Sequence, residues 1–296
     1  MKNFVVFLII SLCLTSCGSK ETSRNEEKET IAEIANVFLE EVWATESILK
    51  VPESVYYDEA RSVIYVANIV GTPRDKDQEG FISKLKPDGT VLVLEWVSKL
   101  NAPKGMGVYK NLLYVTDITE VVVIDIDAGN VVEKYEIEGA NFLNDITISP
   151  KGLVFVTDSD NNKIHLIRNG EVETWLEDEI LGSPNGLYWD DKNLMVASSG
   201  DGKFRKIDIS SKNISDIVSE IGVGDGIAKD AKGNYIVSSW AGQVFYIFAD
   251  GRKIELLNTS EQQMNTADLD LIAKENLVLI PTFFDNRVVA YRLKYE

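Results

Sequence analysis

Apolar and polar residues alternate along most of this chain. The clearest example begins at Asn144, where alternating residues run to Ser149, a Pro-Lys-Gly turn follows, and a second β-rich run ends at Asp158. Alternation with a period of two, interrupted by proline and glycine, is typical of two antiparallel strands joined by a tight turn. Similar strand pairs follow one another from Val51 to residue 296, so the pattern predicts an all-β fold.

The same strand-pair unit recurs at a regular interval. Six units cover residues 51–296, and their first residues are Glu53, Gly105, Asn144, Asn185, Asp225 and approximately Asp268. The first interval is longer than the others because it contains an extra polar loop, residues 71–80. A repeat of about 40 residues that carries several short strands indicates a propeller blade. We therefore predict a six-bladed β-propeller with four-stranded antiparallel blades around a central channel.

The region that precedes the first repeat gives a less clear signal. Apolar residues in 31–43 have helical spacing, and Thr30 with Glu33 could form a capping box. The same residues could also form an amino-terminal strand that closes the propeller against its last blade. Both interpretations remain open at this point.

The first residues of the chain have the features of an export signal. Lys2 is followed by an apolar run that is too short to span a membrane, and the run leads to Leu14-Thr15-Ser16-Cys17. This ending resembles the cleavage box of a bacterial lipoprotein, although an ordinary secretory signal is the alternative. We predict a signal peptide at 1–16, a lipidated Cys17 followed by a flexible tether to residue 30, and the propeller at 31–296. The protein would then be exported and lipid-anchored, either periplasmic or on the cell surface.

Composition narrows the classes of function. The net charge of −17 and the pI near 4.6 argue against a nucleic-acid partner, because phosphates require a basic surface. We expect a monomer that contacts the membrane only through its lipid anchor and acts on a small molecule. The single histidine, His165, excludes a pair of catalytic histidines and disfavours a Ser-His-Asp triad. His165 lies in an outer-strand pattern and is interpreted as structural, and the five tryptophans are expected to pack between blades.

The first residues of several repeats are candidate metal ligands. The innermost strands of a propeller line its channel, so Glu53, Asn144, Asn185 and Asp225 are expected to converge on one point. Two carboxylates and two amide oxygens suit Ca²⁺ better than Mg²⁺ or zinc. The alternative is that the Asn-Gly and Asp-Gly pairs merely form turns.

Four short motifs resemble those of one propeller family. They are Pro52-Glu53-Ser54, Leu143-Asn144-Asp145, Ser183-Pro184-Asn185-Gly186 and Gly224-Asp225-Gly226. This pattern is similar to that of the senescence marker protein/gluconolactonase/luciferin-regenerating-enzyme family of six-bladed propellers. The resemblance implies that Glu53, Asn185 and Asp225 bind Ca²⁺ or another divalent cation, and that Asn144 is a further ligand or contacts substrate. It also implies that Asp225 is the catalytic base or nucleophile in the hydrolysis of lactones or esters.

One departure from the family pattern concerns the substrate. Members that act on sugar lactones typically carry an arginine two residues before the Asn144 position, where this chain has Phe142. We therefore expect Phe142 to contact a more apolar substrate. The leading hypothesis is a Ca²⁺-dependent hydrolase of lactones or esters. The alternative is a non-catalytic propeller that binds a small molecule or a protein partner and holds a structural Ca²⁺.

Overall fold

The computed structural model describes Met1 and residues 37–296. Residues 38–294 form one compact unit, and the described residues of a second unit are Met1, Val37, Tyr295 and Glu296. The predicted signal peptide, the lipidated Cys17, the tether and residues 31–36 lie outside the described residues. Within the described part of the chain, no helix is both long enough and apolar enough to cross a bilayer.

The regular secondary structure of the described residues is almost entirely β, in six sheets of four strands each. The strands of the first blade are β2 (Pro52–Asp58), β3 (Val63–Asn68), β4 (Gly80–Leu85) and β5 (Val91–Leu100). Those of the second are β6 (Pro103–Tyr109), β7 (Leu112–Asp117), β8 (Glu120–Asp125) and β9 (Asn130–Glu136). Those of the third are β10 (Leu143–Ile148), β11 (Val154–Asp158), β12 (Lys163–Arg168) and β13 (Glu171–Glu177).

The remaining blades follow the same plan. The fourth contains β14 (Pro184–Asp190), β15 (Asn193–Ser198), β16 (Phe204–Asp208) and β17 (Ile214–Val218). The fifth contains β18 (Gly224–Lys229), β19 (Tyr235–Ser239), β20 (Gln243–Ile247) and β21 (Lys253–Asn258). The described helices are single 3₁₀ turns at Glu179–Leu181, Ser260–Gln262, Ala273–Glu275 and Phe283–Asp285. The predicted fold, a six-bladed propeller of four-stranded antiparallel blades, is confirmed.

The sixth blade combines the two ends of the described chain. It contains β22 (Asp270–Ile272), β23 (Leu277–Pro281), β24 (Val288–Tyr295) and, beside β24, β1 (Val37–Ala44). The helical interpretation of residues 31–43 is therefore wrong for 37–43, and the closing-strand interpretation is confirmed there. Residues 37–43 form a strand because of tertiary contacts. β1 pairs with the edge strand β24 through backbone hydrogen bonds, and Trp43 packs against the core.

The innermost strands β2, β6, β10, β14, β18 and β22 contact one another in a closed ring. Their close approach explains the glycines that follow Asn185 and Asp225. A Cβ at Gly186 would lie 1.7 Å from the backbone oxygen of Asp225, and one at Gly226 would lie 2.2 Å from the nitrogen of Leu269. Neither pair forms a turn, because both glycines lie within strands. The two glycines are required by strand-to-strand packing.

Apolar side chains fill the space between neighbouring blades. As predicted, all five tryptophans pack in these clusters: Trp43, Trp96, Trp175, Trp189 and Trp240. His165 lies on β12, which is the third strand of its blade. The outermost strand of that blade is β13. His165 is only 2% exposed. Burial agrees with the predicted structural role of this histidine.

Candidate functional site

Strand register places one side chain from each blade at an equivalent position. The first residue of each inner strand pairs with the last residue of the next strand in five blades, for example Pro52 with Asn68 and Pro184 with Ser198. In the sixth blade Asp268 forms a parallel β-bridge with Ser54, and the backbone N–H of Asp268 donates to the backbone oxygen of Glu53 at 2.9 Å. In the five blades, the residue that follows the paired first residue occupies the equivalent position, and in the sixth blade Asp268 does. We call these six side chains the central ring: Glu53, Lys104, Asn144, Asn185, Asp225 and Asp268. Each is at most 9% exposed.

The structure corrects the predicted contribution of the second blade. The repeat was counted from Gly105, but the register pairs Pro103 with Asp117 and makes Lys104 the equivalent of Glu53 and Asn185. Gly105 serves packing, because a Cβ there would lie 2.4 Å from Asp145 Oδ1. The proline before Lys104 was the available signal, since proline also precedes Glu53 and Asn185.

The four predicted metal ligands all belong to the central ring. Three of their oxygens are buried and accept no hydrogen bond from any described residue: Glu53 Oε2, Asn185 Oδ1 and Asp225 Oδ1. Leaving a buried polar atom unbonded is costly, so three such oxygens at equivalent positions of three blades mark a candidate ligand-binding site. Oxygen donors of this type suit a hard cation.

Asn144 is positioned to add a fourth oxygen. Its Nδ2 donates to Ser159 Oγ at 3.4 Å, which leaves Oδ1 as an acceptor. Among the described residues, no group of three or more His, Cys, Asp or Glu side chains is arranged to hold a metal ion. A cation in the central ring would therefore depend on the amide oxygens of Asn144 and Asn185 as well as on the two carboxylates.

Burial and crowding of charge perturb the acids of the ring. Burial raises the pKa of Glu53 to about 8, with Lys104 opposing the rise and Asp145 adding to it. Burial also raises the pKa of Asp225 well above its ordinary value, and the nearby Glu53 and Asp145 carboxylates raise it further. The pKa of Asp268 is raised by the same causes. Without a cation, the ring therefore favours protonated acids at neutral pH.

Backbone-directed bonds hold the ring in place. Asp145 accepts the Leu187 N–H at 2.5 Å and the Ile146 N–H at 2.6 Å, so it joins the third and fourth blades. Burial nevertheless raises the pKa of Asp145 to about 7. Thr157 Oγ1 donates to the backbone oxygen of Asn185 at 2.8 Å and so fixes the backbone of a candidate ligand residue.

A cavity of about 450 Å³ follows the inner strands beyond the central ring. Its walls include carboxylates and aromatic rings, namely Asp145, Asp268, Asp270, Tyr56, Tyr188 and Trp189. Asp270 accepts the Tyr57 N–H and the Leu271 N–H, both at 2.7 Å. These bonds give Asp270 a structural role between the sixth and first blades.

Phe142 lies beside the ring and is accompanied by two cations. The Arg74 guanidinium carbon is 3.9 Å from the centre of the Phe142 ring, and the Lys104 ammonium is 4.7 Å from it. Arg74 comes from the polar loop 71–80 and also binds Asp160 through two hydrogen bonds of 2.8 and 3.0 Å. A guanidinium is thus present next to position 142, supplied by a loop of the first blade.

His165 does not belong to the central ring. Its Nε2 lies 3.6 Å from Asp158 Oδ2, and its Nδ1 lies 3.4 Å from Thr174 Oγ1. Both neighbours belong to the third blade, and Nε2 neither accepts nor donates a hydrogen bond among the described residues. A role in chemistry at the ring is therefore unsupported, as the sequence predicted.

Comparison with known proteins identifies the fold. No family model matches the chain, and no curated protein sequence does. Among solved structures, a gluconolactonase from Xanthomonas campestris is 17% identical with a TM-score of 0.64, over 83% of this chain and 86% of that one. A streptogramin B lyase is 16% identical with a TM-score of 0.65, over 88% and 99% of the two chains.

A third similar structure is a catalytically inactive virginiamycin B lyase from Staphylococcus aureus with quinupristin. It is 15% identical with a TM-score of 0.62, over 87% of this chain and 99% of that one. At these identities the similarity concerns the fold. The resemblance to gluconolactonase-like propellers is confirmed at that level, and this chain shares its fold with both a gluconolactonase and streptogramin-type lyases.

Proposed function

We propose that the protein is a divalent-cation-dependent hydrolase of lactones or esters, with Ca²⁺ as the cation. The observation that carries the proposal is the set of three buried, unbonded oxygens, Glu53 Oε2, Asn185 Oδ1 and Asp225 Oδ1. Their chemistry fits a hard cation, and Asn144 offers a fourth oxygen. The gluconolactonase among the structural neighbours supports the choice of a lactone or ester substrate.

A bound cation would polarise the acyl oxygen of the substrate and stabilise its developing negative charge. Asp225 is proposed as the general base that takes a proton from the attacking water. It must be ionised to do so, and a cation held by Asp225 and Glu53 would offset the burial and repulsion that raise the pKa of Asp225. Asn144 and Phe142 are proposed to contact the substrate, beside the Arg74 guanidinium that lies over the Phe142 ring.

The test is hydrolysis by the purified protein with Ca²⁺ or with EDTA. Six-membered lactones, aryl esters and phosphotriesters would be compared, beside the Asp225→Asn variant. We expect turnover that EDTA abolishes and that Asp225→Asn lowers at least a hundredfold. Full activity in Asp225→Asn would reject the proposed base. Absence of all turnover, with Ca²⁺ raising the Tm, would instead favour a binding protein with a structural Ca²⁺.

A lyase reaction is a second candidate, because streptogramin B lyases share the fold. The inactive lyase among these structures has a histidine replaced by alanine. The only histidine of this chain, His165, lies beside Asp158 and Thr174 within the third blade. A histidine base is therefore not available at the central ring, and hydrolysis remains the better supported reaction. Incubation with quinupristin, followed by mass spectrometry, separates the two reactions.

A further inference from the structure

Lys104 is the one member of the central ring that carries a positive charge. The five equivalent side chains are two amides and three carboxylates: Asn144, Asn185, Glu53, Asp225 and Asp268. Lys104 is only 1% exposed, which is rare for a lysine. Neither the proposed cation binding nor the proposed base uses this residue.

The Lys104 ammonium is also short of partners. It donates to the Ala102 oxygen at 2.8 Å, although an ammonium has three N–H donors. Within the described residues no carboxylate lies within 4.0 Å of it, so it forms no direct ion pair. Burial lowers the pKa of Lys104 to about 8, and the Glu53 and Asp117 carboxylates oppose that fall. The Lys104 side chain and the Glu53 carboxyl group thus influence each other's pKa without forming an ion pair within 4.0 Å.

A buried charge is costly unless it is paired. If the only role of the Lys104 ammonium were to neutralise a buried carboxylate, we would expect the two groups to form a direct ion pair. Both groups keep unused hydrogen-bonding capacity: the ammonium has two further N–H donors, and Glu53 Oε2 accepts no hydrogen bond from a described residue. The ammonium is buried and lies 4.7 Å from the centre of the Phe142 ring. In a buried site a hydrogen bond from a charged donor is strengthened.

We infer that Lys104 is a catalytic residue whose ammonium donates a hydrogen bond to the acyl oxygen of the substrate as that oxygen becomes negative. This inference rests on the proposed hydrolysis and names a second electrophilic group for it. The charges agree with a neutral lactone or ester. Such a substrate adds no further charge to a ring that already holds three acids and one lysine.

The step balances as an addition followed by an elimination. The oxygen of water bonds to the acyl carbon, Asp225 takes the proton of that water, and the electron pair of the C=O bond moves to the acyl oxygen, which accepts the Lys104 N–H. The C=O bond then re-forms and the bond to the alkoxy oxygen breaks. The released alkoxide takes the proton from Asp225, which yields the hydroxy acid, or the acid and alcohol of an ester.

Lys104→Met tests the inference because methionine keeps much of the volume and removes the charge. Lys229→Met is the matched control, since Lys229 ends the inner strand β18 and pairs with Asp190 at 2.6 Å. We expect kcat of Lys104→Met to fall about a hundredfold with little change in KM, as for loss of one oxyanion donor. The Tm should be unchanged or raised, because an unpaired buried charge is removed. Lys229→Met should retain kcat.

A binding measurement separates this inference from the proposed function. Methylphosphonate, an anionic mimic of the tetrahedral state, would be titrated into the Ca²⁺-loaded protein, and Lys104→Met should bind it at least tenfold more weakly. If the protein lacks turnover but shows this loss of binding, the hydrolase proposal fails while the role of Lys104 as a donor to anionic oxygen stands. If Lys104→Met retains both kcat and phosphonate affinity while the wild type is active, the inference about Lys104 is rejected.

Discussion

Replacing Glu53 with glutamine should stabilise the cation-free protein and destroy its response to Ca²⁺. Glutamine has nearly the shape of a protonated glutamate, but it cannot become a buried anion. Burial raises the pKa of Glu53 from 4.5 to about 8 in the folded protein. Below pH 4.5 both the folded and the unfolded chain hold the proton. As the pH rises toward 8, only the unfolded chain releases it, and the free energy of unfolding falls.

The size of this effect follows from the pKa of Glu53. At about 1.36 kcal/mol for each pKa unit, ionising Glu53 in the folded protein costs on the order of 4 kcal/mol at pH 8 or above. Glu53→Gln removes that cost, so its stability should exceed that of the wild type by several kcal/mol at pH 8 in EDTA. Near pH 4.5 the two proteins should be nearly equal. Saturating Ca²⁺ should stabilise the wild type and leave Glu53→Gln almost unchanged.

Urea unfolding followed by tryptophan fluorescence measures both parts of this prediction. The wild type and Glu53→Gln would be unfolded at pH 5 and pH 8, each in EDTA and in Ca²⁺. A Glu53→Gln variant that is no more stable than the wild type at pH 8 in EDTA would refute the electrostatic reasoning. Equal stabilisation of both proteins by Ca²⁺ would remove Glu53 from the set of ligands.

Three further predictions concern the cation, the inner strands and the anchor. The affinity for Ca²⁺ should rise between pH 6 and pH 8, because binding must displace protons from Glu53 and Asp225; calorimetry that shows a constant affinity would contradict this. Gly186→Ala should unfold the protein or lower its Tm sharply, because the added Cβ would lie 1.7 Å from a backbone oxygen. The control is Gly139→Ala, where the added Cβ would meet open space but φ is +75°. It should lower the free energy of unfolding by about 1 kcal/mol. Cys17→Ser should move the protein from the membrane fraction to the soluble fraction of cells, and unchanged fractionation would reject the predicted lipid anchor.

Much of the fold could be predicted from the sequence because the strand repeat is local. The alternation around Asn144 and the spacing to Asn185 and Asp225 defined the blades and their number. The pattern at residues 37–43 could not be assigned from the sequence alone. Its strand conformation depends on β24, more than 200 residues away along the chain.

The candidate site was predicted only in part. Glu53, Asn144, Asn185 and Asp225 all lie in the central ring, because strand register carries over from one blade to the next. Lys104 was missed because Gly105 was taken as the start of its repeat. The contact of Arg74 with Phe142 depends on how the loop 71–80 packs against the second and third blades, and no pattern in that loop encodes it.

The central claim is that a cation bound by the ring makes the site hydrolytic. The most direct measurement is the initial rate of hydrolysis of a six-membered lactone as Ca²⁺ is added to protein first stripped with EDTA. We expect no activity at the start, a rise that saturates with one Ca²⁺ per chain, and no rise in Asp225→Asn. Full activity of the stripped protein, or an equal rise in Asp225→Asn, would contradict it.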